Sequence, residues 1–329
     1  MPKGERNWGS FQKWLGDLLA WANVEEIEAE ELLVFPGLEE LFSLLQIHRQ
    51  AATGLYETII VDCASTGETL RLLSFPETFY WRLEKMFPQK RRILRWARPV
   101  VKAVGGGFEL PPEGAMAETE ELIGQLKQMQ QLLLDQNRTS VRLVLTPEKM
   151  VTAETRRTYT YLNLFGFNTD AIMVNRVLPP GIQGSYLQDW LPIQAKYMEE
   201  IKTSFDPLPI FSIPFMPQEV TGISRLKELA DQVFATTNLS DILHQGPTEE
   251  VEKDGDEYLL KLSIPLITKE DLALSQRGDE LTIQVGWYKR KLILPRKLLG
   301  RPTLGARFAH GKLLIRFGPR IMTSEVINP

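Results

Sequence analysis

The sequence predicts an α/β protein built on a parallel sheet with helices on both faces, followed by a small all-β sandwich. Three observations carry that reading. Short apolar runs rich in β-branched residues (ETIIVDCA, SVRLVL, AIMVNRV) alternate with longer segments of helical periodicity, the pattern of strands covered on both faces by crossover helices. Asp62, Glu148, Asn175 and Pro214 stand at or just after the ends of the apolar runs, where open α/β sheets collect functional residues. Beyond about Asn238 the periodicity changes to strict alternation punctuated by Gly278-Asp279 and His310-Gly311, the mark of an antiparallel sandwich.

The elements follow in order. Residues 8–50 read as helical: Leu15, Leu18, Leu19 and Trp21 share a spacing, and LEELFSLLQIHRQAA follows Pro36-Gly37. ETIIVDCA reads as a buried parallel strand, and the next helix opens on a capping box, Ser65-x-x-Glu68. Residues 78–104 form a basic, aromatic helical stretch broken by Pro88 and Pro99, and Gly105 to Gly114 is a flexible loop. ETEELIGQLKQMQQLLLDQ is amphipathic. SVRLVL then ends in Thr146-Pro147-Glu148, a helix carrying Glu154, Arg156 and Arg157 follows, and AIMVNRV ends at Asn175. A short strand, PLPIFSI, a loop and a closing helix complete this part. We place the α/β domain at 1–237, a polar linker at 238–246 and the sandwich at 247–329.

Composition narrows the function classes. The chain has 329 residues, 43% hydrophobic and 24% charged, with a net charge of -4. That is an ordinary globular composition with no overall field for nucleic acid. One cysteine, Cys63, permits no internal disulfide, and with three histidines it argues against a structural zinc site. No apolar run approaches a membrane span and no secretory signal opens the chain. The expected location is the cytoplasm, without stable membrane insertion.

Position alone leaves two readings of Asp62: a carboxylate serving a magnesium ion or an attacking water, or a cap for the next helix. The longer string DCASTGETLRLL resembles the second switch segment of the ArsA/TRC40-type P-loop ATPases, whose pattern is D-x-A-P-T-G-H-T-L-R-L-L. That family includes arsenite-pump ATPases and factors that deliver tail-anchored membrane proteins. The resemblance covers about residues 33–236 and implies a P-loop NTPase-like fold, ATP and Mg²⁺ as cofactors, and a homodimer that shelters a hydrophobic client. It places Asp62 by the Mg²⁺ shell, through water, and the attacking water, with Thr66 and Gly67 as nucleotide contacts. Thr146-Pro147-Glu148 is similar to the segment whose glutamate reaches nucleotide across the dimer. Asn175 in MVNRVLP is similar to the adenine-contacting asparagine, a role its amide suits. Pro214 is similar to the start of the adenine-side loop, in which Glu219 and Gly222 keep the family spacing.

Four departures qualify this. The switch proline is Ser65, the switch histidine is Glu68, and GSYLQDWLPIQAKY lacks the C-x-x-C of zinc-bridged eukaryotic dimers. Above all, no G-x-x-x-x-G-K-[ST] phosphate loop occurs in the 329 residues, and backbone N–H groups and a lysine are what hold β- and γ-phosphates. The family pattern is entered partway, at ELLVFPGLEELFSLL, which favours a missing front end over a natural pseudo-ATPase. A sheet without its phosphate-loop strand is expected to expose apolar faces.

The stretch from Lys85 to Lys102, with seven Lys/Arg and no acid, reads as a solvated face, a client groove, or a site for anionic lipid or nucleic acid. Cys63 reads as a small buried residue rather than a reactive thiol. A single cysteine argues against metalloid export. The C-terminal strands, with Ala306-x-Phe308-x-x-Gly311-x-Leu313, resemble the small heat-shock protein (α-crystallin-like) fold. No I-x-I tail follows, so large heat-shock-type assembly is not implied, and a generic β-sandwich is the alternative. Three functions stand: an ATPase coupled to client shielding, a non-hydrolysing binding module, and a metalloid efflux ATPase.

Overall fold

The computed structural model describes residues 38–63, 67, 69, 70, 73, 113–181, 185–246, 249–267, 271–286, 288–309 and 311–320. The expectations for residues 8–37, the Ser65–Glu68 capping box, Thr66, the basic stretch 85–102 and the glycine loop as far as residue 112 lie outside them. The chain divides into two compact units, Met1–Leu132 and Leu133–Pro329.

In the first unit, α1 (Leu38–Thr53) buries Leu44 and Leu45. The expectation for ETIIVDCA is corrected here. Residues 57–63 form no strand, Ile60 is 90% exposed, and Ile59 and Val61 are exposed beside it. Strand geometry exists only where backbone N–H and C=O groups find partners in neighbouring strands. Among the described residues none of the sheets includes this segment, so its apolar side chains cover nothing. Cys63 is likewise exposed rather than buried.

Helix α2 (Glu113–Leu134) leads into the second unit. Three parallel strands follow: β1 (Val141–Leu145), β2 (Thr169–Val177) and β3 (Ile210–Pro214), in the order β1-β2-β3. The crossovers are α3 (Lys149–Leu164) and the pair α4 (Ser185–Gln188) and α5 (Trp190–Phe205). Helix α6 (Gly222–Phe234) closes against β3. This is the parallel sheet with helices expected from the alternation of apolar runs. Val144 on β1 is 60% exposed.

Helix α3 is rich in β-branched threonine, a modest helix former. It holds because tertiary contacts surround it: Thr152, Thr155, Thr158, Thr160, Leu162 and Leu164 are buried, and the helix packs on β1, β2, α5 and β5. Thr155 and Thr158 hydroxyls donate to the carbonyls of Val151 and Glu154, which satisfies these buried hydroxyls within the helix, while the Thr160 hydroxyl lies within hydrogen-bond distance of both Arg156 O and Pro265 O. An Arg156–Glu200 ion pair of 2.8 Å and an edge-on Tyr159–Phe205 contact join α3 to α5.

The sandwich comprises β4 (Glu249–Asp254), β5 (Glu257–Ser263), β6 (Leu272–Arg277), β7 (Glu280–Val285), β8 (Tyr288–Ile293), β9 (Thr303–Ala309) and β10 (Lys312–Phe317). One sheet is β4-β5-β10-β9 and the other β6-β7-β8, all antiparallel. The alternation seen in the sequence places Leu260, Leu262, Leu281, Ile283, Leu313 and Ile315 inside. Gly278 turns the β6–β7 hairpin at φ 60°, a left-handed conformation that glycine adopts freely. Edge strand β4 carries Glu249, Glu250, Glu252 and Asp254, charges that discourage pairing with another chain. Edges β6 and β9 are joined by Gln276, whose Oε1 accepts from Thr303 N at 2.7 Å and Thr303 Oγ1 at 2.6 Å.

Candidate functional site

The carboxyl ends of β1, β2 and β3 bring Glu148, Asn175 and Pro214 to one edge of the sheet. Glu148 is the residue before α3, with extended backbone (φ -129°, ψ 152°) and no side-chain capping bond. Its carbonyl accepts the first helical bond, from Thr152 N at 2.9 Å. The carboxylate is exposed and has no part in starting the helix, which leaves it free to meet a ligand or a second chain.

Asn175 is set by an irregularity. Val174 pairs with Ser212 and Val177 with Pro214, so β2 spends one residue more than β3 over this step. Such a bulge re-aims a side chain at a strand end. Arg176 takes φ 55°, uncommon for a residue with a side chain, and its N–H donates to Asn175 Oδ1 at 2.8 Å. An amide oxygen has two lone pairs and the amide nitrogen two hydrogens. Asn175 therefore keeps one acceptor position and its donors for a ligand while its orientation is fixed locally. Just beyond, Leu178 exchanges two hydrogen bonds with Gln194 of α5: N to Oε1 at 2.7 Å and Nε2 to O at 3.2 Å. Arg176 and Gln194 were not singled out in the sequence, because a positive φ and a side chain clasping backbone 16 residues away leave no periodic signature.

Pro214 ends β3, and Phe215 N donates back to Val177 O at 2.8 Å. The loop then runs past exposed Glu219 to Gly222, whose φ of 80° at the start of α6 demands glycine. Phe215 is an exposed aromatic beside this edge.

Asp62 and Gly67 belong to the first unit. Asp62 is exposed. Gly67 is helical and a Cβ there would meet nothing within 4 Å among the described residues. The Cys63 thiol titrates above its usual range, first because chain atoms desolvate the sulfur and then because the Asp62 charge opposes thiolate, against a lowering hydrogen bond with Thr69. Although the residue is exposed by area, the thiol is thus held protonated.

Two comparisons identify the class. The family model described as "Anion-transporting ATPase" matches residues 2–235, and "HSP20-like domain found in ArsA" matches residues 255–317. The chain belongs to the ArsA ATPase family and carries the HSP20-like domain found in that family. The first match begins well before the residue 33 at which the motif resemblance starts. Among relatives, "Putative arsenical pump-driving ATPase 1" of Aquifex aeolicus (strain VF5) is 34% identical over 315 residues, covering 94% of this chain and 79% of that protein. A protein of the same name, without the number, from Prosthecochloris vibrioformis is 36% identical over 298 residues, covering 90% of this chain and 74% of its own. "ATPase GET3A" of Arabidopsis thaliana is 29% identical over 213 residues, covering 63% and 60%.

The residues present fit an adenine: a positioned amide with spare donors and acceptor, and a loop that runs from Pro214 to Gly222, share one edge. They do not supply a phosphate cradle, since the 329 residues contain no glycine-rich G-K-[ST] segment. Among the described residues no group of three His, Cys, Asp or Glu side chains could hold a metal ion, and no helix is long and apolar enough to cross a membrane.

Proposed function

We propose that the chain is a nucleotide-responsive member of its family that couples ATP·Mg²⁺ binding to the sheltering of a hydrophobic client, such as a tail-anchored membrane protein, as a homodimer in the cytoplasm. The observation that carries this is the gathering of Glu148, Asn175 and Pro214 at one carboxyl edge, with Asn175 fixed by its bond to Arg176 N. In this reading Asn175 pairs with adenine, Pro214 begins the loop beside it, and Glu148 reaches nucleotide across the dimer. Asp62 attends Mg²⁺ and the attacking water, with Thr66 and Gly67 near the phosphates. Relatives named as ATPases support the reading.

A second reading is a binding module that shelters clients without hydrolysis. Metalloid efflux is the weakest of the three. Some relatives are named as arsenical pump-driving, yet this chain has one cysteine, and its thiol is held protonated, whereas soft metalloids call for a set of thiolates.

Mg²⁺-dependent ATP hydrolysis and suppression of aggregation of a hydrophobic-tailed substrate separate these readings. Hydrolysis slowed by Asp62→Asn supports the first. Aggregation suppression with no hydrolysis supports the second. Failure of both removes client sheltering altogether.

A further inference from the structure

The sandwich follows a polar segment, yet its core is not closed by its own strands. Leu164, the last residue of α3, is 1% exposed and belongs to the sandwich core with Leu260, Leu281 and Ile315. Tyr161, one turn earlier, packs against that core and stacks on Tyr288 at 4.2 Å between ring centroids. Burying a leucine and part of a tyrosine against these strands favours the joined arrangement. Burial raises the Tyr161 hydroxyl's pKa, with Tyr288 adding to the rise.

Polar contacts fix the orientation. Arg290 on β8 is nearly buried and donates through Nη1 to Leu164 O at 2.7 Å. That carbonyl belongs to the last turn of α3, where helical carbonyls lack intrahelical partners and the dipole favours a cation. Its other nitrogen lies 3.9 Å from Glu249 of β4. Thr160 Oγ1 bonds Pro265 O at 2.8 Å.

The segment between sheet and sandwich is also held. Asp170 at the start of β2 is wholly buried and pairs with Arg142 of β1 at 3.2 Å. Arg142 donates to Leu239 O at 2.8 Å and Asp241 O at 3.0 Å. Asp170 Oδ2 accepts from Leu243 N at 3.1 Å, and Asn168 Nδ2 donates to His244 O at 3.0 Å.

We propose that α3 is a shared wall, so that the C-terminal half of the α/β part and the sandwich form one cooperative body, with Arg290 as the pin between them. Residues 239–244 are a strap fastened by the Arg142–Asp170 pair. Helix α3, 16 residues and so about 24 Å long, runs from Glu148 to the sandwich core. A displacement at its Glu148 end is carried to the sandwich. The sandwich cannot swing on the strap independently. This holds whether or not the chain binds nucleotide.

Native-state hydrogen exchange on the full chain tests it. The Leu243 amide, bonded to a buried carboxylate, is the reporter on the strap, and amides of β10 report on the sandwich. One body predicts that Leu243, the last turn of α3 and β10 are all protected, and that their opening free energies converge as urea rises. Arg290→Met keeps the apolar stem and removes the guanidinium. It should speed exchange at 160–168 and 286–292 roughly ten- to a hundredfold, with β5 and β10 amides still protected. Exchange of Leu243 at the rate of free peptide in the unsubstituted chain would overturn the proposal, as would an unchanged pattern in Arg290→Met. Should Arg290→Met fail to fold, the unsubstituted chain alone decides, because a tethered sandwich leaves the strap open while β10 is closed.

Discussion

Asn175 owes its orientation to its successor. The Arg176 N–H takes one lone pair of the amide oxygen, and the left-handed backbone at Arg176 holds the bulge that turns the side chain at the strand end. Asn175→Ala should weaken adenine-nucleotide binding about tenfold, the value of one or two hydrogen bonds, without changing the unfolding midpoint. A fluorescent-nucleotide titration with a parallel urea melt reads both. Arg176→Gly should relieve the positive φ, so stability holds or rises while affinity follows any loss of aim. Cys63 makes a prediction of its own. A raised pKa keeps the protonated form dominant over more of the neutral range, so alkylation by iodoacetamide at pH 7.5 should be slower than for a model-peptide thiol and recover as pH rises through the shifted value. Alkylation as fast as the model peptide would contradict the assigned environment. In α3, the Thr152 hydroxyl is buried without a hydrogen-bond partner among the described residues. Thr152→Val, which matches its shape, should be neutral or stabilise by about 1 kcal/mol in a urea melt.

At the scale of elements, local chemistry made β1, β2 and β3 readable. Runs such as AIMVNRV carry β-branched Ile172 and Val174, both buried, with Ala171 buried on the opposite face, and that composition survives in any tertiary context. ETIIVDCA has the same composition and is not a strand, because pairing depends on neighbours and not on the segment itself. The strap was equally unreadable. The polar surroundings of residues 239–244 suggest a free linker, and Arg142, Asn168 and the buried Asp170, 73 to 99 residues earlier, fasten them. Asp170→Ala leaves Arg142 without its carboxylate and Leu243 N without an acceptor. It should cost about 3 kcal/mol, seen as a lower urea midpoint together with faster proteolysis within 238–246. Loss of stability without new cleavage there would place the damage elsewhere. Helix α3 shows the same limit: the Thr155 and Thr158 hydroxyls are satisfied within the helix, but the meeting of Leu164 with strands about a hundred residues later has no local trace.

For the whole molecule, the sequence and the fold agree on a parallel sheet with covering helices and an antiparallel sandwich. The family matches over residues 2–235 and 255–317 set that architecture in the ArsA ATPase family. The candidate edge was legible as three strand ends, Glu148, Asn175 and Pro214, because such residues gather where parallel strands stop. Its phosphate half was not, since no G-K-[ST] loop is written in the 329 residues. Occupancy of the edge by nucleotide would stabilise the folded chain by mass action, by about 2.7 kcal/mol at a hundredfold excess over Kd. The most direct test of the central claim is an equilibrium titration of the full chain with ATP and Mg²⁺, alongside Asn175→Ala and Asp62→Asn. The account predicts saturable binding that Asn175→Ala weakens about tenfold and that Asp62→Asn alters chiefly through its dependence on Mg²⁺. No binding by the folded chain, or binding indifferent to Asn175→Ala, would contradict it.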